Sequence, residues 1–229
     1  MNADARGEED KALAARAAVA EIADGMLVGL GTGSTAAHAI RALGGRVATG
    51  LSVRAVATSR ASEAQARGLG IAMLDFADVP RVDLTIDGAD EIDGRLYAVK
   101  GKGGAMLREK LVAAASDRMV VIADAAKRVA AIGAVPVPVE ILPFARASLL
   151  STLGAGAVLR MADGSPYVTD NGNLIADCRL DLTDPRATAA WLDGIPGMLG
   201  HGLFLDEVDA AYIAAGGVVS RLERAGASR

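Results

Sequence analysis

The chain has 229 residues, 52% of them hydrophobic and 23% charged, which suffices for two compact units and excludes disordered, collagenous and coiled-coil classes. Lys plus Arg number 24 against 28 Asp plus Glu, a formal charge of −4, so no general attraction to nucleic acid or anionic membranes is expected and an anionic ligand needs a local site. The single Cys178 cannot form an internal disulfide, and two histidines supply no structural zinc cluster, which fits a reducing compartment.

Residues 1–10 are acidic where a secretion signal needs a basic start and an apolar stretch, so the expected location is the cytoplasm. Residues 8–23 are rich in Ala, Glu, Lys and Arg and stop at Gly25, the pattern of a helix. A strand is predicted at 26–30, followed by Gly31-Thr-Gly-Ser-Thr35, an Ala-rich helix over 35–43 and a strand over 53–58. A helix at 62–67, short buried strands at 71–74 and 83–86, a helix at 104–115 and a strand at 118–122 continue the alternation. Such alternation builds a parallel sheet covered by helices on both faces, an α/β fold.

Pro136, Pro138 and Pro143 then forbid a regular helix and mark a crossing between units, with a boundary near residue 131. Beyond it, helices are predicted at 146–153 and 186–192, an Asn171-Gly172 hairpin turn between them and a strand at 202–205, together a small α+β unit. No apolar run approaches the roughly 18 residues of a membrane helix. Aromatics at 3% are too scarce for a single-strand nucleic-acid platform.

Three segments carry candidate chemistry. Gly29-Leu-Gly31-Thr32-Gly33-Ser34-Thr35 lies between a strand and a helix start, where backbone N–H groups, the helix dipole and hydroxyl donors suit a phosphate. It lacks the Lys of a P-loop and the third glycine of the dinucleotide fingerprint, although Arg60 could meet a 2′-phosphate. Asp87-Gly88-Ala89-Asp90-Glu91 follows a strand, where carboxylates move protons or hold sugar hydroxyls, or else form a solvated capping turn. Its spacing misses the EF-hand loop. Lys100-Gly101-Lys102-Gly103-Gly104 opens a helix carrying Glu109 and offers donors and charge to an oxyanion. By helical periodicity Met106, Leu107, Leu111 and Ala114 share the apolar half, and Glu109 falls on the opposite, surface side. His38 on a polar helix face and His201 in a glycine turn read as incidental, and Cys178 as a buried structural thiol.

Taken together, Gly31-Thr-Gly-Ser-Thr-Ala-Ala-His38, Asp87-Gly-Ala-Asp-Glu-Ile92, Lys100-Gly-x-Gly with Arg108-Glu-Lys110, Ala123-Asp-Ala-x-Lys127, Pro138-Val-Glu-Ile-Leu-Pro143 and Thr169-Asp-Asn-Gly-Asn173 resemble the ribose-5-phosphate isomerase A family. The resemblance spans Lys11 to Leu205. It implies a cofactor-independent, metal-free aldose-ketose isomerase of the pentose phosphate pathway, acting on D-ribose 5-phosphate and D-ribulose 5-phosphate through a cis-enediolate. Residue by residue, it implies that Thr32, Gly33, Ser34, Thr35 and Lys11 hold the phosphate and that Glu109 is the base between C2 and C1. Asp87 would assist ring opening and proton movement between O1 and O2, with Asp90, Gly88 and Ala89 at the hydroxyls. Lys100 and the Gly101-Lys102-Gly103 amides would stabilise the enediolate, and Lys127 would contact substrate. Lys102 departs from a run that is glycine in many members, and a left-handed φ there would strain the loop. The resemblance also implies a Rossmann-like domain from 1–130 plus 207–229, an inserted ferredoxin-like domain at 131–206, and a homodimer or homotetramer. A mean hydropathy of +0.31 is compatible with assembly. The main alternative is a non-enzymatic sugar-phosphate sensor, though the chain has no spare helix-turn-helix to make a regulator; an NADP-dependent oxidoreductase on the near-Rossmann loop is a further one.

Overall fold

The computed structural model describes residues 3–224. In chain order α1 (Ala3–Val19) leads to β1 (Leu27–Leu30), α2 (Ser34–Ala48), β2 (Arg54–Ala57), α3 (Arg60–Gly68) and β3 (Ala72–Met73). Then come β4 (Leu84–Gly88), β5 (Glu91–Ile92), β6 (Ala98–Val99), α4 (Met106–Ala114) and β7 (Met119–Asp124). The next segment holds β8 (Val137–Ile141), α5 (Arg146–Leu153), β9 (Ala157–Leu159), β10 (Met161–Ala162), β11 (Ser165–Pro166), β12 (Leu174–Cys178), α6 (Pro185–Asp193) and β13 (Met198–His201). β14 (Leu203–Phe204), β15 (Ala210–Ala215) and β16 (Val218–Glu223) complete the order.

The main sheet runs β16-β15-β7-β4-β1-β2-β3. Every pairing in it is parallel except the edge pair of β15 with β16. β4 and β7 are buried along their whole length, the continuous burial of central strands covered on both faces. Alternate side chains serve the two faces. Val120 and Ile122 join Val28, Leu30 and Ile86 against Ala14, Ala18, Ile40 and Leu43 of α1 and α2. Met119 and Val121 point the other way, to Ala113 and Phe204. Arg46 fastens the end of the first helix by donating to the Val19 and Ile22 carbonyls at 2.6 and 2.8 Å.

From β1 the chain builds outward through β2 and β3 on one side and through β4, β7 and β15 on the other. The reversal puts a crevice at the carboxyl ends of β1 and β4, where open α/β sheets bind ligands. A second, antiparallel sheet of order β13-β8-β12-β9 packs Val137, Val139 and Ile141 against Leu149 and Leu153 of α5 and Leu192 of α6.

The proline-rich segment expected as a crossing is itself strand β8, with Pro138 inside it opposite Asp177. Pro138 has no N–H to give, but its carbonyl accepts from Gly202 at 2.8 Å, so the strand loses one donor and keeps its place. The strand predicted at 202–205 is β14, while β13 directly before it belongs to a different sheet, and β16 adds an antiparallel edge to the main sheet. Among the described residues no helix is long and apolar enough to cross a membrane.

Candidate functional site

The glycine loop after β1 delivers residues 32–35 to the crevice. Gly33 precedes α2 with φ 102° and no side chain caps the helix, so a backbone that favours glycine leaves the first N–H groups free to face an anion. Lys11 of α1 reaches the same corner, with Nζ 3.3 Å from Ser34 Oγ and 2.7 Å from Glu8 Oε1. His38 holds the other oxygen of Glu8 at 2.9 Å. Hydrogen bonds from Lys11 first, then from His38, keep the Glu8 carboxyl down at about 2.

At the end of β4, Asp87 Oδ1 accepts from the Thr32 and Gly88 amides at 3.0 and 2.7 Å. Lys100, just past β6, donates to the Gly88 carbonyl at 2.5 Å. Its Nζ lies 2.8 Å from Asp87 Oδ2 and 3.2 Å from Glu109 Oε2. Neither of those oxygens accepts a well-directed hydrogen bond, so they face the ammonium as charges. The three side chains are at most 3% exposed. Burial, and then the Asp87 charge, pushes Glu109 up to about 8 against the pull of Lys100. Burial also raises Asp87, again opposed by Lys100. For Lys100, burial works against the charge, but Asp87 and Glu109 outweigh it and raise its affinity for the proton. One ammonium between two buried carboxylates leaves a proton or a negative charge to be shared.

Lys100 and Glu109 form the floor of a cavity of about 330 Å³. Lys11, Thr32, Gly33, Ser34, Thr35, Gly88, Ala89, Asp90, Lys100, Gly101, Lys102, Gly103, Glu109 and Lys127 line it. Every expected site residue is therefore at the wall except Asp87, which is fully buried behind Lys100. Glu109 corrects the periodicity reading: it is 3% exposed on α4, while Leu111, expected in the apolar half, is 51% exposed. Left-handed φ values in the loop fall on Gly101 and Gly104 and not on Lys102, so the lysine is accommodated without strain there. Its amide donates to Asp90 Oδ2 at 2.9 Å.

His201 stands at a strand end and not in the glycine turn expected for it. It ends β13 in a buried position, accepts from the Leu203 amide at 3.2 Å, and is pushed down to about 4 by burial, then by Lys110. Cys178 is buried as expected, its thiol raised to about 12 by burial. Among the described residues no group of three or more His, Cys, Asp or Glu is disposed to hold a metal ion.

Sequence reasoning missed the loop's outer support. Arg160 Nη1 donates to the carbonyls of Gly101 and Lys102 at 2.9 and 3.1 Å, and its guanidinium is paired with Asp177. Nothing in local periodicity signals a bond 58 residues away in sequence. The Thr169–Asn173 turn is held from below: Glu140 Oε1 accepts from Thr169 Oγ1, Asn171 Nδ2 and Asn173 Nδ2 at 2.9, 3.0 and 2.9 Å.

Known proteins are similar to this chain along most of its length. The family model described as ribose 5-phosphate isomerase A (phosphoriboisomerase A) matches residues 54–217. A ribose-5-phosphate isomerase A of Sphingopyxis alaskensis is 53% identical over 214 residues, covering 92% of this chain and 94% of that protein. The ribose 5-phosphate isomerase A structure from Methanocaldococcus jannaschii superposes with a TM-score of 0.90 at 34% identity, over 95% of this chain and 99% of that one. A D-ribose-5-phosphate isomerase in complex with phospho-erythronic acid gives 0.92 at 34% identity, over 98% and 100%. With the family model covering most of the chain and relatives matching nearly end to end, the protein is an enzyme that belongs to the ribose 5-phosphate isomerase A family.

Proposed function

We propose that the chain interconverts D-ribose 5-phosphate and D-ribulose 5-phosphate through a cis-enediolate, in the non-oxidative pentose phosphate pathway. The observation that carries this reading is the Lys100 ammonium between two buried carboxylates, at the floor of a cavity whose other end holds Lys11 and an uncapped helix start. The substrate phosphate sits against residues 32–35 and Lys11, which leaves C1 and C2 near Glu109. Ionised Glu109 removes the C2 proton; the C–H electron pair forms the C1–C2 double bond and the carbonyl pair moves to O1. Lys100, itself buried, and loop amides stabilise the oxyanion. O2 then gives up its proton, the C2 carbonyl forms, and Glu109 returns its proton to C1. Asp87 assists ring opening and the O1–O2 proton transfer across the ammonium that separates it from the cavity. Asp90 and Lys127 bind hydroxyls.

The relative bound to phospho-erythronic acid supports a sugar-phosphate ligand. We extend the proposal to an inserted unit at 131–206, to a cytoplasmic location and to assembly as a homodimer or homotetramer, the last supported by apolar side chains left in solvent such as Phe144, 96% exposed. The test is conversion of D-ribose 5-phosphate to ketose by EDTA-treated protein beside Glu109→Gln. Turnover that survives chelation and disappears in the variant is expected. A wild type that binds the sugar phosphate without converting it would instead favour a sensor.

A further inference from the structure

The donor loop at the floor of the cavity owes its orientation to residues that never touch the cavity floor. The Gly101 and Lys102 carbonyls turn outward to Arg160 Nη1 at 2.9 and 3.1 Å. The Lys102 amide is taken by Asp90 and the Gly104 amide by the Gly101 carbonyl at 2.9 Å. Gly103 lines the cavity, and the carbonyl that shares its peptide N–H is the Lys102 carbonyl held by Arg160. A peptide group whose oxygen is pinned on one side presents its N–H on the other, and a cation on that oxygen polarises the N–H toward stronger donation.

Arg160 is itself fixed on every side. Its backbone donates to the Ile175 carbonyl at 2.8 Å and accepts from the Tyr167 amide at 2.9 Å. Its Nε donates to Asp177 Oδ2 at 2.9 Å, and Nη2 meets Asp177 Oδ1. Asp177 sits on β12, paired on both edges with β8 and β9. The Tyr167 ring lies 5.9 Å from the guanidinium carbon, and its hydroxyl reaches the Gly103 carbonyl at 3.4 Å. The planar fork thus ties the loop to the second sheet.

We propose that Arg160, braced by Asp177, is a positioning residue that sets and polarises the Gly103 N–H as a donor to the oxyanion formed during turnover. The role rests on the isomerase reading above. It acts on the charge that develops in the transition state, so it belongs to kcat more than to substrate affinity.

The test compares wild type, Arg160→Ala and Asp177→Asn with D-ribose 5-phosphate as substrate and inorganic phosphate as competitive probe. The expected result is a 10- to 100-fold fall in kcat for Arg160→Ala and a smaller fall for Asp177→Asn, with KM and the phosphate inhibition constant within about threefold of wild type. Millimolar guanidinium should restore part of the Arg160→Ala turnover and leave wild type unaffected. A kcat within twofold of wild type in both variants, or a loss that guanidinium leaves unmoved and that is matched by weaker phosphate inhibition, overturns the proposal. Hydrogen exchange separates this outcome from failure of the isomerase reading. The Lys102 amide, now bonded to Asp90, should exchange faster in Arg160→Ala whether or not the wild type isomerises the sugar, and unchanged exchange also overturns the proposal.

Discussion

The carboxylate of Asp87 occupies the space that a side chain at Gly31 would need: a Cβ built on Gly31 falls onto Asp87 Oδ1 and its carboxyl carbon. β1 and β4 are parallel neighbours, and the bare backbone at residue 31 lets the end of one strand close over the acid at the end of the other. Gly31→Ala should therefore displace Asp87, and with it the Lys100 ammonium 2.8 Å away. Overpacking of this kind costs about 1–3 kcal/mol. The expected result is a lowered urea midpoint together with a fall in kcat of at least 100-fold. Intact turnover in a destabilised variant would show that Asp87 can shift without consequence.

Glu109 gives a pH dependence with a definite sign. Its carboxyl titrates at about 8 in the folded chain, against 4.5 for the ordinary group, because burial and the Asp87 charge disfavour ionisation. Holding the proton therefore stabilises the fold fully below about 4.5, and that contribution fades as pH rises to about 8. Glu109→Gln keeps the shape, leaves Lys100 neutralised by Asp87 and removes the titration. Urea midpoints should show the variant gaining on wild type between pH 5 and 8, by a few kcal/mol in all, and holding a constant lead above that. A difference independent of pH would count against the buried titration.

The same group must be ionised to act as a base, so kcat/KM should climb with pH through a limb near 8, far above the range of an ordinary carboxylate. The limb belongs to the Asp87 and Glu109 pair as a unit, since the two share one ammonium. Rates measured between pH 5 and 10 check this. A limb near 4.5 would place the proton exchange on an exposed acid.

Much of the frame was legible in the sequence because local pattern and punctuation determine it. α5 occupies the predicted 146–153, and the glycine loops fall at the ends of β1 and β6 where tight turns are needed. Glu109 was not legible from periodicity, because an amphipathic pattern assigns every charge to solvent, and a carboxylate buried beside the Lys100 ammonium breaks that rule. Only the motif resemblance pointed to it. Leu111 was misread for the complementary reason: the face that α4 buries is set by where Glu109 must point. Arg160 and Asp177 were invisible because their meaning lies in contacts between distant segments, which spacing along one chain does not encode.

Lys11 joins the site from a different helix. Its ammonium stands beside Ser34 at the uncapped start of α2 and is held there by Glu8. Lys11→Ala removes one charge from the phosphate corner and leaves Lys100 and Glu109 in place. The affinity for ribose 5-phosphate should fall about tenfold, roughly 1.4 kcal/mol, with kcat changed less than threefold. The loss should shrink at high salt, where the wild-type charge is screened. Steady-state kinetics at two ionic strengths measure both, and a variant defective mainly in kcat would move Lys11 from the phosphate to the reacting end.

Glu140 is buried on β8 and serves three donors with a single oxygen, while Oε2 has no hydrogen-bond partner. The turn it supports carries Asp170 and Asn171, which accept from the Arg60 amide at 2.8 Å and from Arg108 Nε at 2.7 Å. Arg108 precedes Glu109 on α4, so the carboxyl group of Glu140 underpins the helix that presents Glu109, the proposed base. Glu140→Ala leaves the buried Thr169 hydroxyl without its acceptor and frees the half-buried Asn173 and exposed Asn171 amides, which costs about 1–3 kcal/mol. Glu140→Gln keeps one carbonyl oxygen for the same three donors and gives its amide no clear acceptor in place of Oε2, so a smaller loss is expected. Unfolding midpoints should rank wild type, Gln and Ala in that order. If Ala matched wild type in stability and turnover, the turn would be held by its own backbone bonds from Thr169 to Asn173, and Glu140 would have no part in placing α4.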